Sequence, residues 1–104
     1  MPRVDVFSAV ANPVRRQLLE ALRAGPRAAG DLAGQFALSR PAVSEHIAVL
    51  RNAGLVREEP RGRHRYYHLE PAPLEELGTW LHPFEHYWRT RMSALSDVLD
   101  EQDE

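Results

Sequence analysis

The apolar residues of this chain keep a helical period as far as residue 54, alternate over a short stretch beyond it, and resume a helical period near residue 73. Apolar residues that recur every three or four positions predict an amphipathic helix, whereas strict alternation predicts a half-buried strand. Any fold of this chain therefore has to accommodate a set of helices, then a strand pair, then further helix.

Two helices are predicted within the first 26 residues. Residues 7–11 favour a short first helix. Asn12 and Pro13 mark the start of the second, because an asparagine side chain can cap a helix and proline suits its first turn. Gly25 and Pro26 end this helix. Its buried stripe is predicted to consist of Val14, Leu18, Leu19 and Leu22.

A third and a fourth helix are predicted on either side of a three-residue link, 37–39. The third, over residues 29–36, contains two glycines that each cost about 1 kcal/mol relative to alanine, so packing has to hold it. Ser39 can cap the fourth helix, Pro41 suits its first turn, and Gly54 closes it. Its buried stripe is predicted to consist of Val43, Ile47 and Leu50.

The alternating stretch predicts a two-stranded hairpin formed by residues 55–60 and 65–69. Tyr67 and Leu69 are expected on one face of the second strand. The tip of the hairpin, residues 61–63, places arginines on both sides of a glycine. Such a tip suits contact with phosphates or with a minor groove, where arginine is favoured.

Residues 73–99 show one long amphipathic helical pattern, in which Pro83 is expected to kink or restart the helix. The order α-α-α-α-β-β-α gives a mainly α fold with a β-hairpin wing, that is, a winged helix-turn-helix, with residues 1–104 as a single domain. One helix cannot cover so long an apolar stripe by itself, so 73–99 is expected to be a dimerisation helix that packs on a twofold-related copy. The alternative is that the stripe only covers the core of its own chain.

Composition excludes several function classes. The 104 residues include no cysteine, which removes disulfides, thiolate metal ligands and thiol chemistry. The serines lie in predicted helix caps and turns without a glycine-rich elbow or a phosphate-binding loop, so an enzyme is not expected. We also expect no signal peptide, no membrane partner and a cytoplasmic location, because no apolar run is long enough for either segment.

Charge is distributed unevenly along the chain. Residues 1–69 carry 11 basic and six acidic side chains, whereas residues 70–104 carry two basic and nine acidic ones. The net charge of −2 argues against nucleic acid, but a basic body with an acidic C-terminal segment suits a protein that docks one face on phosphates. Double-stranded DNA is therefore the expected partner.

The second helix of a helix-turn-helix enters the major groove with its N-terminal residues at the base edges. Here Arg40 can bind guanine through two hydrogen bonds, and Glu45 can accept from a cytosine amino group or simply face solvent. Ser39 can instead serve only as a helix cap. Arg15 and Arg16 are further candidates for phosphate contacts. The predicted DNA-binding residues are Ser39, Arg40, Ser44, His46, Arg51, Arg61, Arg63, His64 and Arg65.

Three segments resemble the ArsR-type winged-helix repressors: residues 11–19 (ANPVRRQLL), 38–56 (LSRPAVSEHIAVLRNAGLV) and 62–69 (GRHRYYHL). The resemblance implies a homodimeric repressor that binds an inverted-repeat operator. It also implies a dimer interface built from the first and C-terminal helices. The residues expected in that interface are Phe7, Leu77, Leu81, Phe84, Trp88, Met92 and Leu95.

Two features favour the metal-free branch of that family, so no metal and no cofactor are expected. The third helix lacks the cysteines that the arsenic, cadmium and lead sensors of the family carry there, and the pair Trp80 and Trp88 resembles the metal-free members. Glu45 departs from the family, which usually has a polar or basic residue at that position.

Two alternatives remain from the sequence. A metal-responsive repressor could use His82 and His86, with Asp97 and Asp100 or Glu101 further along the segment, although Pro83 disfavours helical geometry at His82. A winged helix that binds protein in place of DNA is the other alternative, and the arginines of the hairpin tip argue against it.

Overall fold

The computed structural model describes residues 4–102, except for the side chains of residues 92, 93, 96, 97 and 100–102. Met92, predicted to lie in a dimer interface, and the candidate metal ligands Asp97, Asp100 and Glu101 fall outside that description. The elements are α1 (Val6–Val10), α2 (Pro13–Leu22), β1 (Arg27–Ala28), α3 (Ala29–Gln35), α4 (Arg40–Asn52), β2 (Val56–Arg61), β3 (His64–Leu69), α5 (Leu74–Leu81), a 3₁₀ turn (His82–Phe84) and α6 (His86–Gln102).

Side-chain caps define the first two helices. The carboxylate of Asp5 accepts from the amide of Ser8 at the start of α1. Asn12 caps α2 as predicted. Arg15 and Arg16 were candidates for phosphate contacts, but their guanidinium groups donate to backbone carbonyls of α1, at 2.7 Å to Ala9 and 2.6 Å to Val10. These two arginines therefore satisfy the end of α1, where the last carbonyls have no partner within the helix.

The link between α3 and α4 is a tight turn. Ala37 adopts φ 53°, in the left-handed region that few residues other than glycine occupy. The amide of Leu38 donates to the carbonyl of Ala33 at 2.9 Å and closes the end of α3. Ser39 then caps α4 by accepting from the amide of Ala42. The pair α3–α4 is the predicted helix-turn-helix.

The sheet has three strands, one more than predicted. Strand β1 pairs with β3 through Arg27 opposite Tyr67, and the strand order is β1-β3-β2. A two-residue strand is too short to show alternation in the sequence. Gly62, at φ 60°, begins the two-residue turn of the hairpin, as a type II′ turn requires.

A single apolar cluster forms the core and draws on α1 to α4 and the sheet. The predicted stripes of α2 and α4 lie in it, except that Val14 is only partly buried. Tyr67 adds the inner face of the hairpin, as expected from alternation. The fully buried large side chains are Leu18, Leu32, Val43, Ile47, Leu50 and Leu55.

The segment 73–99 is divided into α5, the 3₁₀ turn and α6, with the break at Pro83, where a kink or a restart of the helix was expected. Pro83 explains the break: its ring nitrogen cannot donate a hydrogen bond, and its ring would clash with the carbonyl of Thr79 in a regular helix. Leu74 and Leu77 of α5 pack against the core.

Helix α6 packs against the 3₁₀ turn before it. The radius of gyration is 17.3 Å, whereas a compact chain of this length has about 13 Å. Within residues 4–102, no helix combines the length and the apolar content that crossing a membrane requires.

Replacing glycine by alanine should change the free energy of unfolding in opposite directions within α3 and after α4. Gly34→Ala in α3 should raise the free energy of unfolding by up to about 1 kcal/mol, because alanine favours the helix and its methyl group would meet no atom within 4 Å. Gly54→Ala should lower it by about 1–2 kcal/mol, because Gly54 has φ 78°, where a side chain is strained. Urea denaturation measures both. Changes of the same sign would contradict this description of the helix-turn-helix.

Candidate nucleic-acid interface

Burial of one side of α4 exposes the other. Val43, Ile47 and Leu50 point into the core, so Arg40 and Ser44 face solvent at the start of the helix. Glu45 is also exposed, and His46 is half-buried. The residues predicted to read base edges therefore lie on the outer side of the helix, apart from His46, which lies at its margin.

The start of α4 and the wing (residues 61–65) enclose a common cleft. It is an open cleft of about 350 Å³, and its walls come from α4, from the wing and from the short strand β1 that pairs with the wing's own strand. Five predicted DNA-binding residues meet there: Arg40, Ser44, Arg63, His64 and Arg65. The sequence predicted these residues on separate elements, and the fold brings them together.

A glycine of α3 allows the position of Arg40. A Cβ atom at Gly30 would lie 3.1 Å from Nη2 of Arg40, closer than an ordinary contact. The guanidinium of Arg40 therefore rests against the backbone of α3, beside the cleft. Among residues 4–91, neither Arg40 nor Arg63 takes part in an ion pair, so the charge of both remains available to a ligand.

Ser39 caps α4, as the sequence predicts. Its oxygen lies 3.2 Å from the amide nitrogen of Ala42 and accepts that hydrogen bond. The hydroxyl hydrogen is still free to donate to an acceptor outside the helix.

Three arginines predicted to contact DNA also form ion pairs with glutamates of the hairpin. Glu58 lies 2.6 Å from Arg51 and 2.7 Å from Arg65. Arg61 lies 2.6 Å from Glu59, and its guanidinium carbon is 4.6 Å from the centre of the Tyr66 ring. The sequence reasoning missed both glutamates. The strand register would have indicated the role of Glu59. Glu59 lies opposite Tyr66 and so shares the outer face of the hairpin with Arg61 and His68.

The carboxylate of Glu59 is held in its charged form. A hydrogen bond with His68, whose Nε2 lies 3.1 Å away, and a second with Arg61 keep the pKa of Glu59 below its usual value. The acid therefore offsets part of the charge at the wing and fixes where Arg61 points.

An exposed apolar surface lies on the opposite part of the chain, on α5, the 3₁₀ turn and α6. Phe7 of α1 meets Trp80 edge to face, at 5.8 Å between ring centres, and Trp80 meets Phe84 at 5.1 Å. Leu77 faces the core of its own chain instead. The exposed members, each 39–68% accessible, are Trp80, Leu81, Phe84, Tyr87, Trp88, Leu95, Val98 and Leu99.

Trp80 was absent from the predicted interface, although it lies four residues before Phe84 and so on the same side of a helix. With Phe7 and Phe84 it forms the aromatic part of this surface. We call the exposed members on α5, the 3₁₀ turn and α6, together with Phe7, the apolar C-terminal surface.

The candidate histidine site is divided by the break in the helix. His82 lies in the 3₁₀ turn, 3.6 Å from Glu85, while Glu85 also pairs with Arg89. His86 begins α6 and stacks against Tyr87 at 3.9 Å between ring centres. In the part of the chain that the structure describes, no three His, Asp or Glu side chains come close enough together to hold a metal ion.

Known proteins carry the same helix-turn-helix. The model of the bacterial regulatory proteins of the arsR family matches residues 12–58. The HTH-type transcriptional regulator Rv2034 of Mycobacterium tuberculosis is 38% identical over 96 residues, which are 92% of this chain and 87% of that protein. The chain belongs to the ArsR family.

Further proteins also match most of the chain. The transcriptional repressor SdpR of Bacillus subtilis is 34% identical over 77 residues, or 74% of this chain and 86% of SdpR. A crystal structure described as a possible transcriptional regulator for arsenical resistance superposes with a TM-score of 0.70 at 36% identity, covering 91% of this chain and 96% of that one. The ArsR-family protein described here is thus a DNA-binding transcriptional repressor with the winged helix-turn-helix fold, and not an enzyme.

Proposed function

We propose that this ArsR-family protein acts as a homodimer that binds an inverted-repeat operator in the cytoplasm, where bacterial DNA lies, and represses transcription from it. The observation that carries the proposal is the cleft shared by the start of α4 and the wing. Arg40 and Ser44 of the helix face the same side as Arg63 and His64 of the wing. A helix in the major groove and a wing on the adjacent backbone need this common direction.

The roles of the basic residues follow from their surroundings. Arg40 has no ion-pair partner among residues 4–91 and stands in the first turn of α4, so we assign it to guanine in the major groove. We assign Ser39, Ser44 and His46, at the same end of the helix, to contacts with bases or phosphates.

The wing supplies the contacts that do not depend on sequence. Arg63 and His64 at its tip are assigned to phosphates or the minor groove, with Arg61 and Arg65 beside them. Arg51, in the last turn of α4, is assigned to the edge of the same site.

The apolar C-terminal surface supports the homodimer. Its large side chains are 39–68% accessible in a single chain, and a contiguous patch of that kind marks an interface. A second copy is the occupant that a twofold operator requires, because both half-sites must be reached at once. Phe7, Leu81, Phe84, Trp88 and Leu95 are the predicted residues on this surface.

Repression without a metal is part of the proposal. The two histidines that could bind a metal lie on different elements, and each already contacts a neighbour, Glu85 or Tyr87. A metal-responsive repressor remains the alternative, and added zinc distinguishes the two.

Arg40→Ala should weaken operator binding by about 1–3 kcal/mol and relax the preference at one base position, because it removes a base contact.

Arg61→Ala combined with Arg63→Ala should weaken binding to every DNA nearly equally and flatten the dependence on salt, because it removes phosphate contacts. Fluorescence anisotropy at several salt concentrations, on the operator and on unrelated duplexes, measures both.

Arg23→Ala is the matched control for charge, because Arg23 lines a separate groove between α2 and α5 and not the cleft. It should change operator affinity less than twofold. Equal binding by the wild-type protein and the double wing variant would remove the wing from the proposed site.

Trp88→Glu should convert the dimer to a monomer, because it places a charge in the apolar C-terminal surface. Operator affinity should fall with it, since a monomer reaches one half-site only. Thr90→Glu, at an exposed position two residues along the same helix, is the control and should remain dimeric. Sedimentation at micromolar concentration decides, and a monomeric wild-type protein would contradict the proposal.

Operator affinity should be unchanged within twofold by chelator or by one equivalent of zinc or nickel. The same titration on His86→Ala identifies any effect that arises at the candidate histidine site. A tenfold loss of affinity with zinc that His86→Ala abolishes would favour the metal-responsive repressor.

A further inference from the structure

Glu58 is the most enclosed charged group at the junction of α4 and the wing. Its side chain is 13% accessible, whereas those of Arg51 and Arg65 are 49% and 68% accessible. Its two carboxylate oxygens are divided between the two arginines: Oε2 faces Arg51 of α4, and Oε1 faces Arg65 of β3. One acid thus joins the end of the recognition helix to the strand that carries the wing.

We propose that Glu58 is a specificity-determining residue that sets how strongly the protein prefers its operator to other DNA. It acts through Arg51 and Arg65, and is therefore a positioning residue with no DNA contact of its own. This inference rests on the proposed function, since it presupposes that the cleft binds DNA.

The first effect of Glu58 is electrostatic. Binding to unrelated DNA comes almost entirely from the attraction of basic side chains to phosphates. A carboxylate that already pairs with two arginines competes with those phosphates for the same hydrogen-bond donors. Glu58 therefore lowers the affinity for DNA of any sequence.

The second effect of Glu58 is geometric. Operator binding needs α4 in one groove and the wing on the neighbouring backbone at the same time, so the angle between them has to be fixed in advance. Glu58 is bonded to both elements, and Arg65 also lines the cleft that contains Arg40 and Ser44. Loss of the ion pairs of Glu58 with Arg51 and Arg65 should therefore weaken binding to the operator. Loss of its negative charge should strengthen binding to every other sequence.

Arg57 and Glu70 provide a comparison within the same hairpin. They form an ion pair at 3.0 Å, but both side chains are about half exposed and neither lines the cleft. A solvated pair of this kind contributes little. Glu70→Gln removes the same charge as Glu58→Gln without touching the junction of α4 and the wing, and is the matched control.

The test measures binding of the full chain to its operator and to an unrelated duplex of equal length, over a range of salt concentrations. For Glu58→Gln we expect about fivefold tighter binding to unrelated DNA, a salt slope steeper by about 0.9, and weaker operator binding. The preference for the operator should fall about tenfold, a change of about 1.4 kcal/mol. Glu70→Gln should keep that preference within twofold of the wild-type value.

Glu58→Asp keeps the charge but withdraws the carboxylate by about one carbon–carbon bond. It should bind unrelated DNA like the wild-type protein and bind the operator more weakly. If Glu58→Gln does not fold, as judged by circular dichroism, this variant decides alone.

An unchanged preference in the Glu58 variants would overturn the inference, whether both affinities stayed constant or shifted by the same factor. Failure of the wild-type protein to prefer any DNA would instead contradict the proposed function. The two failures are therefore distinguishable in one experiment.

Discussion

The burial of one side of α4 is the constraint on which the rest of the structure depends. Val43, Ile47 and Leu50 lie in the core with side chains of α2, α3 and the hairpin, and this packing fixes the rotation of the helix about its axis. Because these buried side chains prevent α4 from rotating about its axis, Arg40 and Ser44 must face outward. Helix α3 contributes packing although its glycines make it a weak helix by itself. The packing of the core thus determines which side of α4 is exposed, and that is the side proposed to bind DNA.

Much of this fold could be predicted from the sequence, because local signals carry it. Helical spacing located α2 and α4, caps at Asn12 and Ser39 located their starts, and alternation located the hairpin. Strand β1 could not be predicted in this way, since two residues show no period. The sequence indicated that Pro83 disturbs the helix, but only the structure gives the bounds of the two helices.

The site was predicted less completely than the fold, because its chemistry depends on contacts between distant residues. Arg40 and Arg63 were predicted from their position in a motif, and neither has an ion pair among residues 4–91. Arg51, Arg61 and Arg65 were identified in the same way, yet each has a glutamate partner. Those ion pairs depend on the strand register and on the packing of α4 against the hairpin. Neither can be read from the charges along the chain. A basic patch therefore has to be judged by its charge after internal pairing.

We propose that two copies of this cleft read two half-sites of one operator. Hydroxyl-radical footprinting of the dimer, on a site selected from genomic fragments, tests this proposal. We expect two protected regions related by a twofold axis, with centres about 34–36 Å apart along one face of the duplex. A single protected region, or protection that covers all sequences uniformly, would contradict it.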